Sequence, residues 1–441
     1  MTKQSRPSHQ QAVPDPTFKS NVEIGYQYIT QLLVLPDKSI IMSIDSASSE
    51  VSRYCKTDSE GKIDTTFGTE GYLTLPFPRE AKPFLTTGLH SLPGTGKVLI
   101  RLLVRWTSDN DTDPITFPAT ARLSEDGRLD EDYGTGGVQF YVLPLGDEKT
   151  LGDVSAPPER YSATSQRIQN TCDWGGFIPL AEGGCFLTTE TFQFGTEETN
   201  YKLQSFLMKL TNSGELDTTF NKTGYVRLVP EKRWYPTGLH LASTEGDSFI
   251  VSGEVPATRE SGGESFVMKI DSSGELDHSF GNDGYFKLYT DLGWFPCQRM
   301  IPVEKNFLIV GNISGGIFLA SLNQEGEIPE DFNGGKIKVI YPETGLDLLL
   351  SDAFLDSKGK IVVCGRHVTP FGEPNFGLIG RFDAKTGEPD AGFGDEYGLA
   401  KVEGEQWCTA SALQESDYLF GTRRGSEDGG TVVRLLAGSQ P

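Results

Sequence analysis

The chain of 441 residues is short of most features that declare a function directly. It has 6 cysteines, Cys55, Cys172, Cys185, Cys297, Cys364 and Cys408, and none stand in CxxC spacing. They are too sparse for a disulfide scaffold and lack a zinc-ligand rhythm, so reduced, mostly buried thiols are expected. Basic residues are scarce as well: Lys+Arg 39 against Asp+Glu 61 gives a net charge of −22. That balance argues against nucleic acid or an anionic membrane surface as the main partner. No apolar run approaches the roughly 18 residues of a membrane span, so no membrane insertion is expected. The opening residues MTKQSRPSHQQAVPDP lack the apolar stretch of a secretory signal. A cytoplasmic protein is the default expectation, with signal-independent export left open. No GxSxG, HExxH or Ser-His-Asp arrangement is present, and no cofactor or metal is expected.

What the chain does have is 37% apolar residues, enough for a packed core, together with 51 glycines and 25 prolines. That mix suits many short strands joined by tight turns. One motif recurs: EGKIDTTFGTEGY at 60–72, DGRLDEDYGTGGV at 126–138, SGELDTTFNKTGY at 213–225 and SGELDHSFGNDGY at 273–285. Weaker copies follow at 325–335 and 386–398, and a fragment, DPTF, stands at 15–18. The anchor positions are Asp15, Asp64, Asp130, Asp217, Asp277, Pro329 and Asp390, with gaps of 49, 66, 87, 60, 52 and 61. The residues after Asp390, joined to the first 15, make one further interval of 66. A repeat that closes on its own period predicts a ring.

Each unit has an alternating strand ahead of the motif, such as FLMKLT (206–211) or FVMKID (266–271), and a short strand after it, such as GYVRLVP (224–230). Pairs such as TGLHLASTEGDSFIVSG (237–253) supply two more. Four short strands per unit, with period-2 alternation and no helical period, predict an all-β, seven-bladed β-propeller of four-stranded blades. The last unit lacks its fourth strand and the N-terminal segment carries only that part, so the N-terminal strand is expected to complete the last blade. Residues 1–14 read as a flexible tail, 15–441 as one propeller domain with an insertion near 141–172, and the chain as a monomer.

The pattern G-x-L-D-x-x-F-G-x-x-G at spacings near 60 resembles the delta-60 repeat, a bacterial propeller-type repeat, over essentially residues 15–441. The resemblance implies a propeller and supplies no shared catalytic set; Pro329 and the extra residue before Gly398 depart from the pattern. Within the motif the Asp oxygen suits backbone N–H groups two or three residues on, and the Phe suits the gap between neighbouring blades. Symmetry would spread these Asp residues around the ring, which speaks against a metal site. DNDTDP (109–114) lacks the Gly and Glu of a calcium loop, and GTGK (94–97) reads as a hairpin turn.

The linkers into each first strand and the loops after each second strand should emerge on one face. Four of the 5 tryptophans lie there: Trp174, Trp234, Trp294 and Trp407, the last three each 17 residues after a motif Asp. They suit stacking on sugar or clamping a partner, or else packing as wedges between blades. The same face should carry Arg105, Arg259, Arg366, His367, Arg423 and Arg424, with Arg233 and Arg299 flanking tryptophans. These arginines suit a carboxylate or phosphate, or local pairing with Glu254, Glu373 and Glu427. His90 and His240 share the sequence TGLH on channel-facing strands. The expected function is a non-catalytic recognition module for a glycan or protein partner. The ligand-binding set is Trp174, Trp234, Trp294, Trp407, Arg233, Arg299, Arg366, His367, Arg423, Arg424 and His240. The alternative is a metal-assisted, lactonase-like hydrolase or lyase at the channel mouth, and a third reading is a pure scaffold.

Overall fold

The computed structural model describes residues 11–18, 20, 22, 28–45, 52–78, 80–106, 115–144, 176–193, 202–228, 237–244, 248–255, 264–290, 293–294, 297–313, 315–341, 347–368, 376–390, 392–402, 404–423 and 430–436. Among these every regular element is a strand. After β1 (Gln11–Ala12) the strands come in antiparallel sets. The first set is β2 (Tyr28–Val34), β3 (Ile40–Asp45), β4 (Arg53–Thr57) and β5 (Tyr72–Thr74), and the second is β6 (Ala81–Ser91), β7 (Val98–Trp106), β8 (Ile115–Leu123) and β9 (Val138–Phe140). The third is β10 (Phe177–Pro179), β11 (Cys185–Gln193), β12 (Lys202–Leu210) and β13 (Tyr225–Arg227). The fourth is β14 (Thr237–Ser243), β15 (Phe249–Val255), β16 (Glu264–Ile270) and β17 (Tyr285–Thr290), with β18 (Gly293–Trp294) added on β17. The fifth is β19 (Cys297–Val303), β20 (Asn306–Ile313), β21 (Gly316–Leu322) and β22 (Lys338–Ile340). The sixth is β23 (Asp347–Leu355), β24 (Lys360–Val368), β25 (Phe376–Asp383) and β26 (Leu399–Val402). The last set is three-stranded: β27 (Trp407–Gln414), β28 (Asp417–Arg423) and β29 (Gly430–Leu435). A short pairing of β8 with β11 ties the second and third sets together.

First strands of successive sets pack on one another, β14 on β19, β19 on β23 and β23 on β27, and β2 lies against both β27 and β6. The arrangement is propeller-like, with the first strands innermost. Its core is accordingly a series of layers between sheets. Ile41, Tyr54 and Phe67 meet Leu89, Ile100 and Ala121 between the first and second sets. Phe18, Val22, Ile29 and Ile40 meet Ala410, Leu419 and Val432 between the first set and the last.

The repeated motif explains this packing. Each anchor Asp receives the backbone N–H of the residue two on: Thr66 to Asp64 at 3.0 Å, Thr219 to Asp217 at 3.0 Å and Ser279 to Asp277 at 3.0 Å. Its second oxygen meets a basic residue closing the strand before, as in Arg122–Asp130 at 2.7 Å, Lys209–Asp217 at 2.8 Å and Arg381–Asp390 at 2.9 Å. The same Asp donates its own N–H to the carbonyl of that basic residue. Where Pro329 replaces Asp, the N–H is lost, and Ser321 stands at the position of the base across from Leu308. The aromatic that follows lies on the turn glycine of the next sheet. A Cβ on Gly127 (φ +78) would come within 2.5 Å of the Phe67 ring, and one on Gly214 within 2.5 Å of Tyr133. These positions need glycine for both space and φ. The Asp residues are therefore turn builders, as expected.

Asp15 behaves as its counterparts do, with a partner 419 residues away. Its N–H reaches the Arg434 carbonyl at 2.7 Å, its carboxylate takes Arg434 Nη2 at 2.8 Å, and Phe18 lies against Gly61. Gln11–Ala12 pairs in parallel with β26, so the expected flexible tail of 1–14 is shortened at its inner end. Tyr141 and Leu143 are core residues of the described part, which trims the expected insertion. The turn at 94–97 is a hairpin, closed by Leu92 N–H to the Lys97 carbonyl at 2.9 Å. DNDTDP lies outside the described residues. No helix of the described residues is long and apolar enough to cross a membrane. Cys55, Cys185, Cys297, Cys364 and Cys408 are free and buried, as expected, and Cys172 lies outside the described residues.

Two outcomes follow from the Asp turns. Asp15→Ala breaks a nearly buried ion pair and should cost about 3 kcal/mol in chemical denaturation. The Lys209 and Thr219 hydrogen bonds pull Asp217 down to about 2. Its contribution is therefore present above the ordinary carboxylate value and disappears as pH falls through about 2. Asp217→Asn should lower stability by about 1 kcal/mol near neutral pH, the difference from wild type vanishing in an acid titration.

Candidate functional site at the ends of the second strands

The first strands share an irregularity. Their register shifts between Ile29 and Gln31, Thr86 and Gly88, Cys297 and Arg299, Leu350 and Asp352, and Cys408 and Ala410. A bulge leaves backbone groups out of the ladder, and these need other partners. They are found on the second strand of the preceding sheet. Asn312 Oδ1 accepts the Leu350 N–H at 2.8 Å, and Asp45 receives both the N–H and the hydroxyl of Thr86. Asp45 also bonds the Thr30 hydroxyl, and burial raises its carboxyl above the usual range against these hydrogen bonds.

Asp45, Leu103, Glu254, Arg366 and Arg423 stand directly across from Tyr28, Leu85, Thr237, Leu349 and Trp407, just before the shift. Counting along β11 and β20 puts Glu190 and Asn312 at the same level. One structural position thus reads Asp, Leu, Glu, Glu, Asn, Arg, Arg around the sheets. Glu190 is buried on the face it shares with Thr188, whose hydroxyl reaches the Leu239 carbonyl at 3.4 Å. His240, next to Leu239, is also buried. Glu254 stands near Cys297: burial first, and then this charge, push the Cys297 thiol up to about 12. Further in, Arg299 Nε donates to Asp352 Oδ1 at 2.6 Å, while Asp352 Oδ2 takes the N–H and hydroxyl of Ser411 at 2.8 and 2.7 Å. That link runs through the first strands of three successive sets.

The expected site residues divide as follows. Trp174, Trp234, Arg233 and Arg424 lie outside the described residues. Trp407 is 8% exposed, donates Nε1–H to Ser351 Oγ at 2.8 Å and is covered by Arg366, 4.3 Å from Cζ to the ring centre. It is a wedge between sheets. Trp294, at the same offset, forms β18 opposite Tyr289 and precedes Cys297 by three residues, whereas Trp407 opens β27 directly before Cys408. Equal spacing does not place these two at equivalent backbone positions. Arg299 is engaged by Asp352, and His367 is buried and stacked on Phe376 at 4.4 Å. His90 stacks on Phe177 at 4.0 Å, a structural contact. His278 is exposed, bonded to Asp283 at 2.7 Å. Arg366 and Arg423 do come together: burial, then the Arg423 charge, lower the Arg366 guanidinium from its ordinary value. Sequence reasoning passed over Glu190 and Glu254 as site residues. The signal was present in their shared place near the end of a second strand, hidden by unequal repeat lengths.

Among the described residues no group of three or more His, Cys, Asp or Glu is placed to hold a metal. Two open grooves lie at the opposite, turn-bearing end, one of about 980 Å³ along Asn282, Tyr285 and Glu327 and one of about 410 Å³ along Phe186, Phe220 and Phe249.

No protein-family model matches the chain, and no curated protein does. Solved structures similar to it include a prolyl endopeptidase at 12% identity and a TM-score of 0.45, covering 95% of this chain and 49% of that one. The chain thus spans about half that enzyme's length. An α-L-arabinofuranosidase, Arb93A from Fusarium graminearum, matches at 12% identity and 0.43 over 86% of this chain and 98% of that one. A Penicillium chrysogenum α-L-arabinanase matches at 8% identity and 0.39 over 99% and 100%. With a polysaccharide lyase and further glycoside hydrolases also found, the similar structures named for carbohydrate are enzymes, and the expected non-catalytic recognition module is corrected accordingly.

The wedge role is checked by substitution. Trp407→Phe should cost about 1 kcal/mol through the lost Ser351 bond, and Trp407→Ala about 3 to 5 kcal/mol, both read as shifted denaturation midpoints.

Proposed function

We propose that the chain is a seven-bladed propeller of delta-60-type repeats, closed by its N-terminal turn, and that it is a carbohydrate-cleaving hydrolase or lyase. Closure is supported by the Asp15–Arg434 clasp and by the Thr409 hydroxyl donating to the Ile29 carbonyl at 2.7 Å. The observation that carries the catalytic reading is the pair Glu190 and Glu254, at one level on successive sheets with buried His240 on the strand facing Glu190. Two carboxylates flanking a glycosidic bond are the standard means of hydrolysis, one protonating the leaving oxygen and the other acting on the sugar or a water. A carboxylate or histidine also serves as the base of an elimination. The reading uses side-chain acid–base chemistry and places no metal in the site.

The test is turnover of a panel of plant and microbial polysaccharides, neutral and acidic, followed by reducing ends and by the absorbance of unsaturated products. Glu190→Gln and Glu254→Gln should each lower turnover by about 100-fold or more, with unchanged circular dichroism. Undiminished turnover in both variants, or no turnover of any polysaccharide by the wild type, would reject the reading.

A further inference from the structure

The arginines of the described sheets are mostly committed. Arg122, Arg299, Arg381 and Arg434 hold aspartates at 2.6 to 2.9 Å, and Arg101 donates to the Gly176 and Thr87 carbonyls at 2.6 and 2.9 Å. Arg366 is different. Its guanidinium lies on the Trp407 ring, its Nε is buried and makes no hydrogen bond among the described residues, and no carboxylate there forms an ion pair with it. Trp407 is itself paired across the sheet with Arg423, which brings a second positive charge to the same spot. Gly377, paired with Arg366 on the other side, adds no side chain, and a Cβ there would come 3.1 Å from Cys408 Sγ and 3.5 Å from the Cβ of buried Glu405, the acidic residue next to the seat, which forms no ion pair with Arg366. One guanidinium held on a fixed aromatic ring with a second positive charge near it, at a level where other sheets present acceptors, makes a place that favours an incoming anion.

Resting on the enzyme reading for the kind of molecule but not for its position, we propose that Arg366, with the positive charge of Arg423 beside it, seats an oxyanion of the substrate, the carboxylate of an acidic sugar or a phosphate or sulfate ester. The planar fork of Arg366 matches such groups in two-point contact, and Trp407, pinned by Ser351, fixes its height. The seat lies at the same level of the sheets as Glu190 and Glu254.

Calorimetry and thermal shift of the full chain with glucuronate, glucose, inorganic phosphate and inorganic sulfate provide the test. Glucuronate or an inorganic oxyanion should bind at least tenfold tighter than glucose and raise the melting temperature. Arg366→Gln and Arg423→Gln should each weaken that binding about tenfold or more, and Arg366→Lys, which keeps charge but loses the fork, should fall between. Response to glucuronate alone assigns a carboxylate, and response to phosphate or sulfate alone assigns an ester group. The proposal fails if no anion, glucuronate, phosphate or sulfate, binds more tightly than glucose. It fails if the wild type ignores every anion. It also fails if both glutamine variants bind as the wild type does. Should one variant not fold, the other arginine variants and the wild-type selectivity still decide. Anion binding that survives in Glu190→Gln and Glu254→Gln proteins lacking any altered turnover would reject the enzyme reading and leave the seat standing.

Discussion

A carboxylate that reaches back to a base holds this fold together. In each complete motif the Asp satisfies its own turn with one oxygen and clamps the preceding strand with the other, as Asp217 does with Thr219 and Lys209. The aromatic three residues on is thereby aimed out of its own sheet and onto the next turn glycine, Phe67 onto Gly127 and Phe280 onto Gly326. Electrostatics thus fixes the turn, and the turn delivers the apolar contact that joins sheets. Sheet-to-sheet burial of Phe67, Phe280 and Phe332 supplies the larger favourable energy, but only with the turn geometry set. The aromatic lock follows from the turn, which the clasp braces in the complete motifs and which Pro329 closes without a carboxylate through the Phe332 N–H at 3.0 Å.

The two ends of the sheets consequently carry different constraints. At the turn end the same residue types recur because each performs the same packing. At the other end the requirement is looser: a bulged strand must find a bridge to the preceding sheet, and Asp45 and Asn312 supply it with different chemistry. A position specified by its hydrogen-bonding duty and not by a residue type is open to change. Glu190, Glu254, Arg366 and Arg423 stand there, and that is where variation among repeats has chemical consequences.

Repeat length, strand order and the role of the motif were legible in the sequence because a regular turn must reuse its residues; the Asp as turn builder and the Phe as filler between sheets were read there, whereas the base each Asp clamps was not. The site was less legible. Trp294 and Trp407 share an offset of 17, yet one pairs with Tyr289 on an extra strand and the other begins an inner strand. Linkers change length, so counting from the motif loses register within them, whereas counting along the paired second strands keeps it. Arg299 reads like Arg366 in the sequence, and only the fold brings Asp352 to it from 53 residues away. Burial of His367 against Phe376 is equally a product of pairing between strands.

Leu103 shows why the arginine pair is not explained by structural need. It occupies the bridging level of the second sheet with a side chain that cannot hydrogen-bond, and Arg101, two residues earlier, takes over by donating to the Gly176 carbonyl of the next sheet. The rule is therefore that the junction be bridged, by whichever neighbour can reach. At the junction of the sixth and last sets, bridging is done by Asp352 to Ser411 and by Trp407 to Ser351, and at the junction of the last set with the first by Thr409 to the Ile29 carbonyl. Neither of these bridges uses a guanidinium. Arg366 nevertheless lies there with its Nε unpaired among the described residues, and burial together with the nearby Arg423 charge lowers its guanidinium from the ordinary value, a local cost that the bridging of the sheets does not call for.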